Sequence, residues 1–135
     1  MIEVDRREGN SIVIIQIRGI QSTSEFLEAG DWLFGNVCAR TPSCILFDWS
    51  ELKSWPFRET KSASIAPWVN LAAQIGRAAI IHERRWNRQA AWVAAIMRLS
   101  RTQVRSWHCG ERDQAIAWLR AKSETKRNEP ARLPP

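Results

Sequence analysis

The apolar residues of the chain fall into short runs and longer periodic segments. The short runs are rich in β-branched residues or alternate apolar with polar residues, and both patterns are typical of β-strands. Gly9 and Asn10 are turn residues between the first two runs, which therefore predict a hairpin. The third and fourth runs are mostly continuous, as in strands covered on both faces of a parallel sheet. The five predicted strands are MIEVDRR (1–7), SIVIIQIRG (11–19), CILFDW (44–49), RAAIIH (77–82) and TQVRSWH (102–108).

The longer segments repeat their apolar residues at three and four positions, which is the period of an α-helix. Gly30 and Gly35 weaken this pattern in the first segment without cancelling it, and Ser24 is a candidate N-cap. Pro67 fits the first turn of a second helical piece within its segment. The predicted helical segments are residues 24–40, 56–76 with a break near Pro67, 83–100 and 111–122.

The order of these elements is strand, strand, and then helix and strand in alternation up to a closing helix. Such alternation predicts right-handed crossovers between parallel strands. We therefore expect an α/β domain. It would have a five-stranded, mostly parallel sheet, one antiparallel edge strand and about four helices.

The length of 135 residues predicts one domain, over residues 1–121. The remaining stretch, KSETKRNEPARLPP (122–135), has three prolines and almost no apolar residues, so we expect a flexible basic tail. No apolar run reaches the length of a membrane-spanning helix, and the first residues do not have the pattern of an export signal. A cytoplasmic location is the expectation that follows.

The charge of the chain is +6, and 16 of its 20 basic residues are arginine. A basic balance of this kind is typical of proteins that bind nucleic acid or anionic lipid. The arginines are scattered along the sequence, however, which weakens the case for a single binding patch.

The cysteines and histidines do not form a reactive or metal-binding pattern. Cys38, Cys44 and Cys109 are odd in number and lack a Cys-x-x-Cys pair, so neither a disulfide framework nor a zinc site is indicated. His108 and Cys109 are adjacent, and on an extended segment their side chains would point to opposite faces. We expect no metal and no cofactor.

Polar residues follow the predicted strands at the carboxyl-terminal edge of the sheet, which we call the rim. Ligands of open parallel sheets gather at this edge. Asp48 could bind backbone donors in a following turn, or it could act as a general base with His82 or Glu83, one strand away, as partner. The spacing does not require that pairing, and no nucleophile stands beside a base, so a hydrolase is the weakest hypothesis. We expect that the chain is not an enzyme. The residues at the predicted strand ends are Asp48-Trp49, His82-Glu83 and Trp107-His108.

Eight tryptophans and no tyrosine make the aromatic content unusual. Large aromatic side chains at the rim can close the core beneath loops. Alternatively, they can line an apolar cavity for a hydrophobic ligand. The candidate ligand-binding residues are Asp48, Trp55, Phe57, Trp68, His82 and Trp86.

Three arginines, Arg84, Arg85 and Arg88, surround Trp86 at the start of a predicted helix. An arginine beside an aromatic ring can bind phosphate and stack on a base or a lipid head group. The alternative is a solvated face that pairs with Glu83. No glycine-rich phosphate loop is present, which argues against nucleotide binding of the P-loop or Rossmann kind.

Three stretches together form a recognisable pattern. The stretch IGRAAIIHERRW (75–86) contains an apolar strand, a polar loop and the start of a tryptophan-led helix, and VRSWHCGERDQAIAWL (104–119) leads into a last helix that contains AIAWL. The stretch ILFDWSELKSWPF (45–57) adds a middle strand with an aspartate. In these features the chain resembles the SpoIIAA-like, or STAS-like, family over roughly residues 2–121. The resemblance implies a five-stranded sheet with helices. It also implies kinship to STAS regulatory domains and to the CRAL-TRIO lipid-binding fold.

One departure from the family pattern concerns phosphorylation. Anti-sigma-factor antagonists have an Asp-Ser-Ser-Gly motif at the start of the helix after the middle strand, and its second serine is phosphorylated. The matching place in this chain reads PFRE (56–59), and Ser50 and Ser54 lie outside the motif. The resemblance therefore does not imply a phosphorylation switch by that route.

From the resemblance and the missing catalytic pattern, we expect a non-enzymatic regulatory or ligand-binding module. It would bind a partner protein or a small apolar, lipid-like ligand at the rim. The alternative is a basic nucleic-acid-binding domain that uses Arg84, Arg85 and Arg88.

Overall fold

Five strands form one sheet in a computed structural model that describes residues 2–7, 12–37, 44–56 and 64–121. The strands lie side by side in sequence order; the first pair is antiparallel and the other three pairs are parallel. This confirms the predicted five-stranded, mostly parallel sheet. The strands are β1 (Ile2–Arg7), β2 (Ile12–Ile20), β3 (Cys44–Ser54), β4 (Arg77–Ile81) and β5 (Gln103–Trp107).

Four α-helices accompany the sheet in the described part of the chain. They are α1 (Thr23–Val37), α2 (Ala66–Ala72), α3 (Asn87–Arg98) and α4, which covers residues 112–121. Two short 3₁₀ turns precede α3 and α4, at Arg84–Trp86 and Cys109–Glu111.

The helix starts differ from the sequence predictions at more than one point, and α3 begins at Asn87, after a 3₁₀ turn, instead of at residue 83. The hydroxyl of Ser22 accepts a hydrogen bond from the Glu25 N–H at 3.1 Å, so α1 is capped two residues before the predicted Ser24. Pro67 lies in the first turn of α2, as expected. The predicted helical stretch before α2 falls partly on residues 57–63, and the predicted tail falls on residues 122–135. Both lie outside the described residues.

The sheet is covered on both faces, but unequally. Helices α1, α2 and α3 pack on one face through a large apolar cluster that includes Val13, Ile45 and Ile80. Helix α4 covers the other face through a smaller cluster that includes Leu46 and Leu119. Because successive residues of a strand point to opposite faces, β3 contributes alternately to the two clusters. We call these the three-helix face and the α4 face.

The prediction that β3 ends near Asp48 was wrong, because this strand runs on to Ser54. Gln16 pairs with Asp48 and Arg18 pairs with Glu51, so β3 contains one more residue than β2 over this step. Such a bulge shifts the alternation of side chains. The apolar positions on the three-helix face therefore break their two-residue spacing after Trp49, and the pattern no longer reads as a strand.

The described residues do not include a helix that is both long and apolar enough to cross a membrane.

Candidate functional site

The rim of the folded sheet is stepped, because β3 continues past the end of β4. Asp48 pairs with Ile81, the last residue of β4. The remaining six residues of β3 extend beyond that level, where this strand still pairs with β2. Strand β5 ends beside β4, with Ile81 opposite Trp107. The polar residues after these strands therefore lie at two heights along one edge of the sheet.

Asp48 is buried on the α4 face and is fully hydrogen-bonded. Its Oδ1 accepts from the Ser50 N–H at 3.0 Å and from the Ser50 hydroxyl at 2.7 Å, while Oδ2 accepts from Arg112 at the start of α4. The anticipated backbone donor is present, although it lies within β3 rather than in a turn. An anchoring carboxylate with these partners ties α4 to the middle of the sheet. A ligand contact of Asp48 stays a prediction.

His82 lies across the sheet from Asp48. Its ring is buried on the three-helix face, 6.2 Å from the ring of Trp49. The Nδ1 atom lies 2.7 Å from the Glu83 carbonyl oxygen. Because a carbonyl oxygen only accepts, Nδ1 donates this bond, and Nε2 of the neutral ring has a lone pair. His82 and Asp48 thus have separate partners, and they do not form the acid–base pair considered from the sequence.

Trp55 and Trp68 pack deep in the core on the ring of Phe26. The Trp68 ring is stacked on Phe26 at a centroid distance of 4.5 Å, and the Trp55 ring lies 5.3 Å from it. Both indole N–H groups are satisfied inside the protein. The Trp68 N–H donates to the Phe26 carbonyl oxygen at 2.8 Å, and the Trp55 N–H donates to the Thr23 hydroxyl at 3.2 Å. These contacts support the core-closing interpretation of both tryptophans. Their contact with a ligand stays a prediction.

Trp86 is the remaining described member of the proposed aromatic lining. It is buried in the 3₁₀ turn before α3, and its ring lies 4.7 Å from the Arg85 guanidinium. Its indole N–H is buried and has no partner among the described residues. Phe57 lies outside the described residues. The structure therefore places Trp86 at the rim, and Trp55 and Trp68 beneath it.

Two of the three arginines around Trp86 do not share one surface. Arg84 is exposed and lines a cleft toward β5, while Arg85 lines a different cleft toward β3. Arg85 also forms an ion pair with Glu83 at 2.9 Å, which is the alternative anticipated from the sequence. Arg88 is exposed on the first turn of α3. Their assignment to anion binding stays a prediction.

Two clefts open at the rim, and we name them by the elements that line them. The α3–β5 cleft has a volume of about 520 Å³, and the β3 cleft has a volume of about 580 Å³. Trp55, Trp68 and Trp86 line neither of them. The α3–β5 cleft is lined by residues that include His82, Arg84, Asn87, Arg98, Ser106 and His108. The β3 cleft is lined by residues that include Arg18, Ser50, Glu51, Lys53, Glu83 and Arg85.

Exposed charges form a short ladder beside the β3 cleft on the α4 face. Arg18 lies between two carboxylates, with Nε 2.7 Å from Glu51 and Nη2 3.5 Å from Glu3. Because these side chains are about half exposed, solvent and salt screen the pairs and each contributes little to stability. The ladder gives this part of the surface alternating charge rather than an apolar face.

The Cys109 thiol at the rim is a weak nucleophile. Burial, together with the carboxylates of Glu83 and Asp48, raises the pKa of the Cys109 thiol. The Cys109 side chain is therefore held in its less nucleophilic, protonated form. Cys44 is buried and donates to the Leu119 carbonyl oxygen, and Cys38 lies outside the described residues. No group of three or more potential metal ligands occurs among the described histidines, cysteines and carboxylates.

The sequence analysis missed two residues that organise the rim, Arg112 and Ser50. Arg112 opens the helix that follows β5, and helix starts after parallel strands meet the rim, so its position could have been flagged. Its pairing with Asp48 could not, because that needs the relative height of β3 and α4. Ser50 was considered only as a phosphorylation site.

Taken together, the sheet and its covering helices define an α/β fold in which one antiparallel strand extends a parallel sheet. Residues 12–120 match the family described as SpoIIAA-like. The chain belongs to the SpoIIAA-like family.

Two solved structures have a similar fold. One is an uncharacterized protein of the DUF3478 family with a SpoIIAA-like fold from Shewanella loihica PV-4. It is 18% identical, with a TM-score of 0.54 and coverage of 88% of this chain and 92% of that chain. The other is the anti-sigma factor antagonist SpoIIAA in its unphosphorylated form. It is 10% identical, with a TM-score of 0.54 and coverage of 89% and 98%. A search among curated proteins finds no match. At these identities the structures establish the fold.

Proposed function

We propose that this chain is a non-enzymatic regulatory module that acts by binding a partner protein at its rim. The support from the comparisons is membership of the SpoIIAA-like family and a fold shared with an anti-sigma factor antagonist. Fold alone does not specify a function, so the proposal depends on the site.

The observation that carries the proposal is the division between a filled interior and a rim whose clefts contain charged side chains. Trp55 and Trp68 are 2% and 1% exposed and pack against other core rings, so their apolar surface is used within the protein. Both clefts at the rim are instead lined by charged side chains, with apolar residues such as Ala90, Ala94 and Leu52 among them. A site for an apolar molecule is mostly apolar with few polar groups, whereas the surroundings of a protein contact are polar. The charged side chains in both clefts therefore favour a protein partner over a lipid-like ligand.

The chemistry of the rim residues supports a binding role rather than catalysis. Asp48 is engaged by Ser50 and Arg112, and His82 donates from Nδ1 to a backbone oxygen. A general base needs a proton donor of the reaction within reach, and a nucleophile needs a base beside it. Neither arrangement involves Asp48 or His82 in the described structure.

Regulation in this proposal comes from binding and not from serine phosphorylation. The place of the family phosphoacceptor reads PFRE (56–59), which lacks a hydroxyl group. The Ser50 hydroxyl is already bonded to Asp48 at 2.7 Å. A partner would therefore recognise the rim in its unmodified state.

The experiment compares charge reversals at and away from the rim. The tagged protein captures partners from cells that express it, and the captured protein is then purified and titrated by calorimetry. We expect Lys53→Glu in the β3 cleft or Arg84→Glu in the α3–β5 cleft to weaken binding about tenfold, since complementary charges guide such contacts. Arg120→Glu is the matched control, because this exposed arginine lies near the end of α4, away from the rim.

The proposal fails if the captured protein binds equally well to all the variants. Native mass spectrometry before and after organic extraction tests the lipid-like alternative. A copurifying apolar mass that organic solvent removes, together with a change in tryptophan fluorescence on adding fatty acid, would replace the partner proposal with that alternative.

A further inference from the structure

β5 forms an open edge of the sheet, because β4 pairs with one side of it and no described strand pairs with the other. The Gln103 N–H donates to the Gly76 carbonyl oxygen at 3.1 Å, and the Trp107 carbonyl oxygen accepts from the residue after β4 at 3.0 Å. In a parallel ladder, alternate residues direct their backbone groups to the same side. The backbone groups of Val104 and Ser106 therefore point away from the sheet.

One of these outward groups is occupied by a side chain. The Arg98 guanidinium donates to the Val104 carbonyl oxygen at 3.1 Å. The Val104 N–H and the Ser106 N–H and carbonyl oxygen have no partner among the described residues, and Ser106 is exposed. These three groups are what a sixth strand would engage.

The α3–β5 cleft runs beside this edge. Its presence distinguishes β5 from an ordinary exposed edge strand. Proteins commonly protect an edge by keeping it short and charged, and the five residues of β5 fit that description. Here, however, α3 presents the small side chains of Ala91 and Ala94 to a cleft of about 520 Å³ that also includes Ser106. The cleft gives room for side chains of an added strand on the three-helix face.

Arginines flank both faces of the β5 edge. Arg84 and Arg98 line the cleft on the three-helix face, and Arg105 lies on the α4 face, 4.9 Å from the Trp107 ring. Glu111 also lines the cleft, where its carboxylate accepts a backbone hydrogen bond at 3.0 Å. Successive side chains of an added strand point to alternate faces, so acidic residues on both faces would meet arginine.

We propose that β5 binds an extended acidic segment of the partner protein, which joins the sheet as its sixth strand. This inference rests on the proposed function and names the chemistry of the partner. A second copy of the chain fits this edge poorly, because paired β5 strands would bring basic surfaces together. The chain's own stretch over 122–135 is also unsuited, since it contains four basic and two acidic residues.

The test uses a phage-displayed library of random nine-residue peptides selected on the full chain. We expect the selected peptides to be rich in β-branched residues and to have acidic residues at both odd and even positions, so that both faces of the added strand meet arginine. Amide hydrogen exchange then follows Val104 and Ser106 in the complex with one synthetic selected peptide, and both N–H groups should become protected. Arg105→Glu should weaken that peptide about tenfold by fluorescence anisotropy, whereas Arg120→Glu should leave its affinity unchanged.

Several outcomes overturn the inference. A selection without enrichment, or selected peptides without acidic residues, would reject the acidic segment. Protection of other amides in place of Val104 and Ser106 would reject the β5 edge as the binding site. A dimer of the chain that protects the same two amides would replace the partner segment with a second copy. The proposed function is judged separately with the captured partner. If Lys53→Glu weakens the partner and Arg105→Glu does not, the rim proposal stands and the sixth-strand inference is rejected.

Discussion

Arg112, at the start of α4, donates a hydrogen bond to Asp48, which lies 64 residues earlier in the middle of β3. The Asp48 side chain is 1% exposed, whereas that of Arg112 is 39% exposed. The pair is therefore asymmetric: the carboxylate depends on its partners inside the protein, but the guanidinium can also be solvated. This relationship accounts for a buried aspartate directly after the apolar residues that begin β3.

The first prediction follows from that asymmetry. Removing Arg112 leaves a buried carboxylate without its compensating charge, so Arg112→Ala should lower the free energy of unfolding by about 3 kcal/mol. Asp48→Asn removes the buried charge itself and should cost less, about 1–2 kcal/mol. Chemical denaturation of both variants measures the difference. Equal losses, or a larger loss for Asp48→Asn, would contradict the anchoring role of the pair.

Gly30 gives a second prediction, with Gly35 on the same helix as its control. A Cβ atom at Gly30 would collide with the indole ring of Trp68, whereas one at Gly35 would meet open space. We expect Gly30→Ala to destabilise the protein by about 1–3 kcal/mol through overpacking. Gly35→Ala should stabilise it by about 0.5–1 kcal/mol, because alanine favours the helix. Thermal and urea unfolding would disprove this account if both substitutions acted in the same direction.

The bond between Trp55 and Thr23 gives a third prediction about how well the core is filled. Thr23→Val keeps the shape of the side chain but removes the acceptor of the buried indole N–H, which should cost about 1–3 kcal/mol. Thr23→Ser retains a hydroxyl and should cost less than Thr23→Val. If the two variants have equal stability, then Trp55 has another acceptor and the filled interior described above is incomplete.

The fourth prediction concerns the pH dependence of Cys109. Burial and the carboxylates of Glu83 and Asp48 raise its pKa, so the folded protein should be alkylated by iodoacetamide more slowly than an unfolded peptide of the same sequence. Mass spectrometry of the modified peptides distinguishes Cys109 from Cys38 and Cys44. A rate equal to that of the free peptide would refute the raised pKa.

The same shift affects stability with a definite sign. The folded state retains the thiol proton to higher pH than the unfolded state, so the contribution to stability is complete below the unfolded pKa. That contribution is lost as the pH rises through the folded pKa. Cys109→Ser should therefore lose less stability than the wild type between neutral and alkaline pH. Parallel denaturation curves measured at the two pH values check the difference.

Local pattern was sufficient for most of the secondary structure. The β-branched run of β2, the buried run of β4 and the apolar period of α3 each depend on neighbours within a few residues. The alternation of these strands and helices along the chain then predicted the mostly parallel sheet. The same reasoning failed at β3, where the bulge after Asp48 changes which side chains face the core.

The site was less predictable, because it depends on contacts between residues far apart in the chain. The position of Asp48 at the rim could be anticipated, but its partner Arg112 could not. Arg84 and Arg85 are neighbours in the sequence, which by itself would predict one basic patch. In the fold they line different clefts, because the 3₁₀ turn before α3 directs adjacent side chains to different sides.

By itself, the sequence determined the number, order and type of the main elements, because burial patterns are local and repeat with the period of each element. Only the tertiary structure decided that Trp55 and Trp68 lie inside on Phe26 and line neither cleft of the rim. It also decided that β5 exposes backbone groups beside Arg98 of α3 and Arg84 of the preceding 3₁₀ turn. The physical reason is that packing and strand pairing bring together segments that are far apart in the chain. The periodic patterns of the sequence do not record which of these segments meet.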